Sequence, residues 1–200
     1  MKTLKLFLIS GLIFPLVHCT FKAPKLPKEK QISKTDSLSS SYLKKGKEIA
    51  TQTQKVLGQN LMQAIKSGGP VYALNFCNVQ ALPLTDSMSN VLDAKIQRVS
   101  DQNRNPENIP NTSERAYIEW AKKKIKKQGS AAPKIQKVNG QWTGYYPIMT
   151  NPMCLNCHGQ PEKDIAPETL AKIDELYPDD QATGYGVNEL RGIWVISFTH

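Results

Sequence analysis

The sequence predicts an α+β domain built on an antiparallel sheet. Helical spacing of apolar residues dominates the first part of the chain, over residues 41–67 and 71–82, whereas the strand patterns come mostly later. Strands and helices do not alternate as they do in the βαβ units of parallel sheets. Asn139-Gly140 lies between two strand-like runs and favours a tight hairpin turn, which joins antiparallel strands.

The individual elements follow from apolar spacing and from end signals. Gly68-Gly69-Pro70 ends the first helix, and Pro83 opens a short continuation of the second through Leu92. The remaining elements are a strand over 95–100, a polar loop over 101–110, a helix over 112–128 opened by an Asn111/Glu114 capping box, a hairpin over 134–138 and 141–149, a short helix over 167–176, a loop over 177–189 and a closing strand over 191–198.

The N-terminus has the pattern of an export signal. Lys2 and Lys5 precede an apolar run over residues 6–17 that is too short to span a bilayer as a permanent helix. The run ends at Cys19 in a sequence that resembles a bacterial lipobox, in which the cysteine is lipidated. His18 departs from the small residue usual before that cysteine, so an ordinary cleavage site nearby is the alternative. Residues 1–19 are therefore predicted to be a signal peptide of lipoprotein type, which places the protein at the periplasmic face of a membrane.

Composition divides the rest of the chain in two. Residues 20–40 are rich in Pro, Lys and Ser and are predicted to be a flexible tether, whereas residues 41–200 have the length of one domain. Loss of the two leader lysines lowers the formal charge from +9 to +7. The basic residues cluster in the tether and over residues 122–127, where solvated surface is the ordinary interpretation and an acidic redox partner is the alternative. An exported protein has little occasion to meet DNA, so we expect no nucleic-acid partner.

The most specific motif is Cys-x-x-Cys-His over residues 154–158. This is the attachment signature of c-type haem, in which Cys154 and Cys157 add to two vinyl groups of the porphyrin and His158 becomes the proximal iron ligand. A thioredoxin-like redox pair would require a βαβ context, and a zinc site would require a second Cys/His pair. The sequence has neither, so it predicts one covalently bound haem c.

Cys77 is left over when the other cysteines are assigned. Cys19 accounts for the lipid and Cys154 and Cys157 for the thioethers, so an exported chain carries one spare thiol. Cys77 is either a small buried side chain in a helix core or a sixth iron ligand. The competing thioether ligands are Met62, Met88 and Met149, since Met153 adjoins the attachment segment and is poorly placed to reach the opposite face of the haem.

Four stretches together resemble a known family. They are residues 75–79 around Cys77, residues 104–108 with Glu114 shortly after, the attachment segment through Gly159, and residues 177–185 leading to 190–192. They resemble a family of c-type haem proteins with a PAS-like fold, long catalogued as a domain of unknown function and typified by a cyanobacterial haem protein. The resemblance covers roughly residues 41–198. It implies a PAS-like antiparallel sheet with N-terminal and flanking helices, and His158 and Cys77 as the axial ligands.

The resemblance also suggests a function. Members of this family are thought to be redox or small-molecule sensors, and we expect the same here, with a protein partner to receive the signal. A periplasmic electron-transfer cytochrome is the alternative, supported by the lysines at 122–127. An enzyme such as a peroxidase would need a distal acid-base residue, and only His200 is spare, so we expect none.

Two arginines flank the polar loop before the third helix. Arg98 or Arg104 is predicted to pair with a haem propionate, because a planar guanidinium suits a carboxylate. The alternative for both is a solvated surface arginine.

Overall fold

The computed structural model describes residues 34–199. Within them it confirms the predicted class, α+β with an antiparallel sheet and with N-terminal and flanking helices. The predicted signal peptide, including Cys19, and residues 20–33 of the predicted tether lie outside the described residues, as does His200. The elements are α1 Lys34–Val91, β1 Lys95–Val99, α2 Thr112–Gln128, β2 Lys134–Val138, β3 Gln141–Met149, α3 Leu155–His158, α4 Pro167–Leu176 and β4 Leu190–Ser197.

Helix α1 starts earlier than the sequence analysis predicted. It begins at Lys34, so residues 34–40, which were assigned to the tether, are helical. Serine and lysine are tolerated in an exposed helix, and composition alone did not separate such a segment from a flexible one. In the part of the chain that the structure describes, no helix is both long enough and apolar enough to cross a membrane.

A kink divides α1 where Gly68-Gly69-Pro70 predicted a helix end. Gly69 has φ +73° and ψ −171°, a backbone region that is essentially restricted to glycine. Gly68 is extended, and a Cβ there would lie 2.7 Å from Cβ of Tyr72. The chain therefore turns at these two glycines, and α1 continues from Pro70 as a separate helical segment that carries Cys77.

The sheet has four strands in the order β1-β4-β3-β2, and every neighbouring pair is antiparallel. The β2–β3 hairpin turns at Asn139 and Gly140, whose φ values of +49° and +84° fit the predicted type I′ turn. β4 closes the chain but lies inside the sheet, paired with Arg98 and the rest of β1 on one side and with β3 on the other.

Alternate residues of β4 fill two hydrophobic layers. One face of the sheet packs on the first part of α1, and the other packs on α2. The first layer contains Ile49, Ala50, Ile96, Tyr146, Trp194 and Ile196, and the second contains Val99, Tyr117, Ile118, Tyr145, Ile193 and Val195. Because side chains alternate across a strand, β4 is buried on both faces.

A third, smaller cluster positions the Cys-x-x-Cys-His segment. Leu74 from the second part of α1 packs with Ile165 and with Ile173 of α4, and the partly buried Cys157 lies against them. All three core residues are nearly inaccessible to solvent, at 1–4%. This cluster holds the Cys77 end of α1 beside the segment that carries the other two thiols.

Candidate functional site

The two thiols of the Cys-x-x-Cys-His segment lie on one turn of helix. A 3-10 turn over Pro152–Cys154 leads directly into α3, and Asn151 Oδ1 caps it by accepting a hydrogen bond from the Cys154 backbone N–H at 3.2 Å. Cys154 and Cys157 are three residues apart, so their side chains project from the same side of this turn. Both are free thiols with part of their surface accessible.

The alternative chemistries find little support in this geometry. The thioredoxin-like interpretation needs a βαβ context, whereas every strand pair of the sheet is antiparallel. Among the described residues, no three His, Cys, Asp or Glu side chains come together as a metal-binding group. A structural zinc site would need four such ligands, and the described residues do not bring them together.

His158 is held as a neutral imidazole with one defined tautomer. Its Nδ1 lies 2.7 Å from the carbonyl oxygen of Ala182, and since a carbonyl only accepts, Nδ1 carries the hydrogen. Burial lowers the pKa of His158 well below its ordinary value, and the positive charges of Arg191 and Arg104 lower it further. Nε2 therefore keeps a free lone pair, the form in which imidazole binds a metal.

The loop before β4 wraps around this histidine. The Tyr185 backbone N–H donates to the His158 carbonyl at 2.9 Å, and the Gly184 N–H donates to Gly159 at 2.8 Å. The Tyr185 ring stands edge-on to the imidazole, at 80° with 6.4 Å between ring centroids. Gly184 has φ +84°, which lets the backbone turn back toward the attachment segment.

Arg104 ties that loop to the attachment segment. Its Nε and Nη2 donate to the two carboxylate oxygens of Asp180 at 2.9 and 3.2 Å, and Nη2 also donates to the Cys157 carbonyl at 2.7 Å. Asp180 Oδ1 in turn accepts from the Ala182 N–H at 3.2 Å. The Arg104 and Asp180 side chains are only 10% and 6% exposed, so solvent screens this ion pair weakly.

Cys77 meets the same group of residues from α1. Burial raises the pKa of its thiol, while the positive charges of Arg98 and Arg104 act in the opposite direction. Burial also raises the pKa of Cys157, where the charge of Arg104 acts to lower it and Cys77 acts to raise it further. The structure thus brings together residues that lie 80 positions apart in the chain.

Arg98 is an exposed residue of β1 whose charge interacts with the Cys77 thiol. Its side chain remains exposed, yet the surrounding protein desolvates it enough to lower its pKa, and Cys77 and Tyr177 oppose that change. Among the described residues, Arg98 has no hydrogen bond or ion pair, so its guanidinium is available to a ligand.

Arg191 is a site residue to which the sequence analysis assigned no role. It donates through Nη1 to Ser100 Oγ at 3.0 Å and to the Gln102 carbonyl at 3.1 Å, and burial lowers its pKa to about 10. Its Nε and the Tyr185 hydroxyl are buried without a partner in the described part of the chain. Gly192 follows it because β1 runs close by: a Cβ there would lie 2.6 Å from the Val99 carbonyl.

The residues of the loop, Tyr177, Asp180, Ala182 and Tyr185, were recognised as a motif but without roles. The available signal for a role was the unusual sequence of this loop, since an ordinary surface loop does not require those particular residues. A backbone carbonyl such as that of Ala182 gives no sequence signal at all, because every residue has one.

The fold and the site together define a class of protein, an α+β domain in which a clamped Cys-x-x-Cys-His segment lies against a cysteine-bearing helix. The chain belongs to the Tll0287-like family, whose model matches residues 28–199, and this confirms the resemblance described above.

A solved structure of similar fold is the crystal structure of the cyanobacterial haem protein Tll0287. The two chains are 17% identical, and the alignment covers 83% of this chain and 96% of the other with a TM-score of 0.52. At that identity the likeness establishes the fold alone. No curated protein matches the chain.

Proposed function

We propose that this protein binds one haem covalently through Cys154 and Cys157, with His158 as the proximal ligand. The observation that carries the proposal is the clamp on His158, which holds a neutral imidazole with a free Nε2 directly after two accessible thiols on one helical turn. Family membership and the haem protein of similar fold support the same cofactor. A bound haem would supply one-electron redox chemistry and a site for diatomic gases.

The donor set fits this group. Thioether attachment needs two free thiols on neighbouring positions of one turn, and Cys154 and Cys157 meet that need. Proximal ligation needs an imidazole with its Nδ1–H engaged elsewhere, and the Ala182 carbonyl engages it.

We further propose Cys77 as the sixth ligand. Arg98 and Arg104 would offset the negative charge of a thiolate there. Among the competing thioethers, Met88 packs against the layer between α1 and the sheet and Met149 packs against the layer under α2. Both side chains are thus engaged in the layers on the sheet, and Met62 lies in the first part of α1, before the kink, which supports Cys77 over all three.

In this proposal the protein is a redox or small-molecule sensor without catalytic activity. As the sixth ligand, the Cys77 thiolate would favour ferric iron and would bind ferrous iron less tightly, which would make this ligand sensitive to redox state. Electron transfer is the second candidate, and the lysines at the C-terminal end of α2 favour it because Lys123, Lys126 and Lys127 are exposed and would suit an acidic partner.

Gas binding and potentiometry separate these two functions. The purified protein is reduced with dithionite and mixed with carbon monoxide or nitric oxide, and its midpoint potential is measured in parallel. A sensor binds the gas rapidly on reduction and has a low potential. A haem that stays six-coordinate in both oxidation states would make the protein an electron carrier, and a polypeptide without haem after denaturing electrophoresis would contradict covalent attachment.

A further inference from the structure

Three buried hydrogen-bonded steps connect Arg104 to the imidazole of His158. The Arg104 guanidinium holds the Asp180 carboxylate, the carboxylate holds the Ala182 N–H, and the Ala182 carbonyl accepts from His158 Nδ1. We propose that Arg104 and Asp180 are positioning residues for His158, which together select its tautomer and set how strongly it donates to a metal. This inference rests on the proposed function, in which His158 is a haem ligand.

The Ala182 carbonyl needs this support because of where it lies. Residues 178–189 form no helix or strand, so no ladder of backbone hydrogen bonds fixes the direction of that carbonyl. The Asp180 side chain adds to the backbone hydrogen bonds of Gln181, Gly184 and Tyr185 by accepting from the N–H two residues ahead, a local contact typical of aspartate in turns. A carboxylate that is itself free to rotate would constrain little.

Arg104 restricts the rotation of the Asp180 carboxylate and also holds the backbone directly before His158. Two N–H groups grip both carboxylate oxygens, the geometry that a planar guanidinium provides and a lysine ammonium does not. The third hydrogen bond goes to the carbonyl of Cys157, the residue directly before His158. Arg104 therefore contacts both the residue before His158 and the carboxylate that supports its hydrogen-bond acceptor. In this way it sets the distance between the histidine and the acceptor.

The chemical consequence concerns the metal-binding nitrogen. A short Nδ1–H···O bond makes the imidazole a stronger donor through Nε2, and outer partners of this kind tune metal ligands. Stronger donation stabilises ferric iron. Loosening the clamp should therefore raise the midpoint potential of a haem on His158 and alter the symmetry of its ligand field.

The test compares Arg104→Lys, Asp180→Asn and Asp180→Ala in the full chain with haem attached. Arg104→Lys keeps the positive charge but removes the planar guanidinium that binds both carboxylate oxygens. A shift of the midpoint potential in that variant therefore reports positioning rather than net charge. We expect a higher midpoint potential and altered electron paramagnetic resonance g values in Arg104→Lys and Asp180→Ala, with a smaller change in Asp180→Asn, because an amide oxygen still accepts from Ala182.

The matched control is Asp101→Asn. Asp101 also forms an ion pair, with Lys122 at 2.6 Å, but that pair lies outside the chain of contacts to His158. Asp101→Asn should leave both the midpoint potential and the g values at their parental values. Parental values in Arg104→Lys and Asp180→Ala would overturn the proposal, as would an equal shift in the control.

A second measurement does not depend on haem. In the full chain produced without haem, nitrogen NMR of the His158 ring should show the Nδ1–H tautomer in the parent and a mixture of tautomers in Asp180→Ala. An unchanged tautomer in that variant would contradict the positioning role. A parent protein that never attaches haem would contradict the proposed function instead. The NMR result would still decide the role of Asp180.

Discussion

Cys77 shows how little a single residue reveals before its neighbours are known. It lies one helical turn after the buried Leu74, which packs in the same cluster as Cys157, and two arginines lie near its thiol. A cysteine in a plain helix core would not need neighbouring positive charge. Burial raises the pKa of the thiol while the two arginines act to lower it, and the proposed ligation would depend on that positive charge.

The first prediction follows from this position. Cys77→Ala should keep its covalent haem but lose the low-spin thiolate signal in electron paramagnetic resonance and become high-spin or water-ligated, because alanine offers no donor atom. Met149→Leu is the matched control and should retain the parental spectrum, since Met149 packs in the layer under α2. A parental spectrum in Cys77→Ala, together with its loss in a methionine variant, would move the ligand to methionine.

Arg98 and Arg104 began as equal candidates for a propionate, and the structure separates them. Arg104 already holds Asp180 and the Cys157 carbonyl, whereas Arg98 is exposed and has no hydrogen bond or ion pair among the described residues. We therefore expect Arg98→Ala to lower the midpoint potential, because removing a positive charge beside the haem favours the ferric state. Arg115→Ala, which removes an exposed arginine of α2, is the control for net charge. Equal potentials in Arg98→Ala, Arg115→Ala and the parent would exclude the propionate contact at Arg98.

At the scale of the elements, the kink of α1 decides where Cys77 can lie. The first part of α1 covers the sheet, while Leu74 early in the second part packs on the cluster with α4 and Met88 near its end packs on the sheet layer again. A straight helix would carry residues 70–91 along one axis and could not serve both contacts. Gly69 permits the change of direction because its φ of +73° costs glycine little.

Substitution of this glycine gives a stability prediction. Gly69→Ala should lower the free energy of unfolding by about 1–3 kcal/mol, the strain of a side chain in that backbone region. Gly58→Ala is the matched control: its added Cβ meets nothing within 4 Å in a regular stretch of α1, and alanine there should stabilise by about 0.5–1 kcal/mol. Denaturant unfolding of both variants tests the contrast, and equal stability of the two would mean that the kink is not under strain.

Both ends of α2 follow the local rules of helix capping. Asn111 Oδ1 accepts from the Glu114 N–H at 3.1 Å and Glu114 accepts in return from the Asn111 N–H at 2.8 Å, as the capping box predicted. Gly129 ends the helix with φ +76°. Such signals work because donor and acceptor are only three residues apart, so tertiary packing has little to add.

At the scale of the whole molecule, a bound haem would contact several parts of the chain at once. The site draws on α1, the loop before α2, the attachment segment and the loop before β4. A ligand bound to the folded state alone stabilises that state. We therefore expect the Cys154→Ser/Cys157→Ser double variant, produced without haem, to unfold at a lower temperature than the parent.

The size of that decrease can be set by calorimetry. Each kcal/mol of lost stability lowers the unfolding midpoint by about 2–4 °C in a domain of this length. Cys77→Ala, which keeps covalent haem, should fall between the parent and the double variant. An unfolding midpoint of the double variant equal to that of the parent would show that haem adds no stability to the fold.

The predicted export and lipid anchor also concern the whole molecule, and they stay predictions. Fractionation of cells that make the full chain should recover the protein with membranes, because two or more acyl chains on Cys19 hold a protein stably at a bilayer. Cys19→Ala should remove the anchor and leave the protein in the aqueous fraction or unprocessed. Recovery of the native protein wholly in an aqueous fraction without detergent would rule out lipidation.

The sequence by itself determined the features that depend on neighbouring residues: the fold class, the helix caps, the Asn139-Gly140 turn and the attachment segment. Each of these has its physical cause within a few positions of chain, so a pattern of residue types is enough. The start of α1 at Lys34 was missed because Pro, Lys and Ser content describes solubility better than conformation.

Only the tertiary structure decided what those features do together. It placed β4 inside the sheet, packed Leu74 of the Cys77 helix in one cluster with Cys157, and joined Arg104 to Asp180, 76 residues apart, next to the acceptor of His158. These contacts join distant residues through loops without periodicity, and one of the acceptors is a backbone carbonyl. Residue type carries no signal for such a group, because its role is set by the direction in which the folded chain points it.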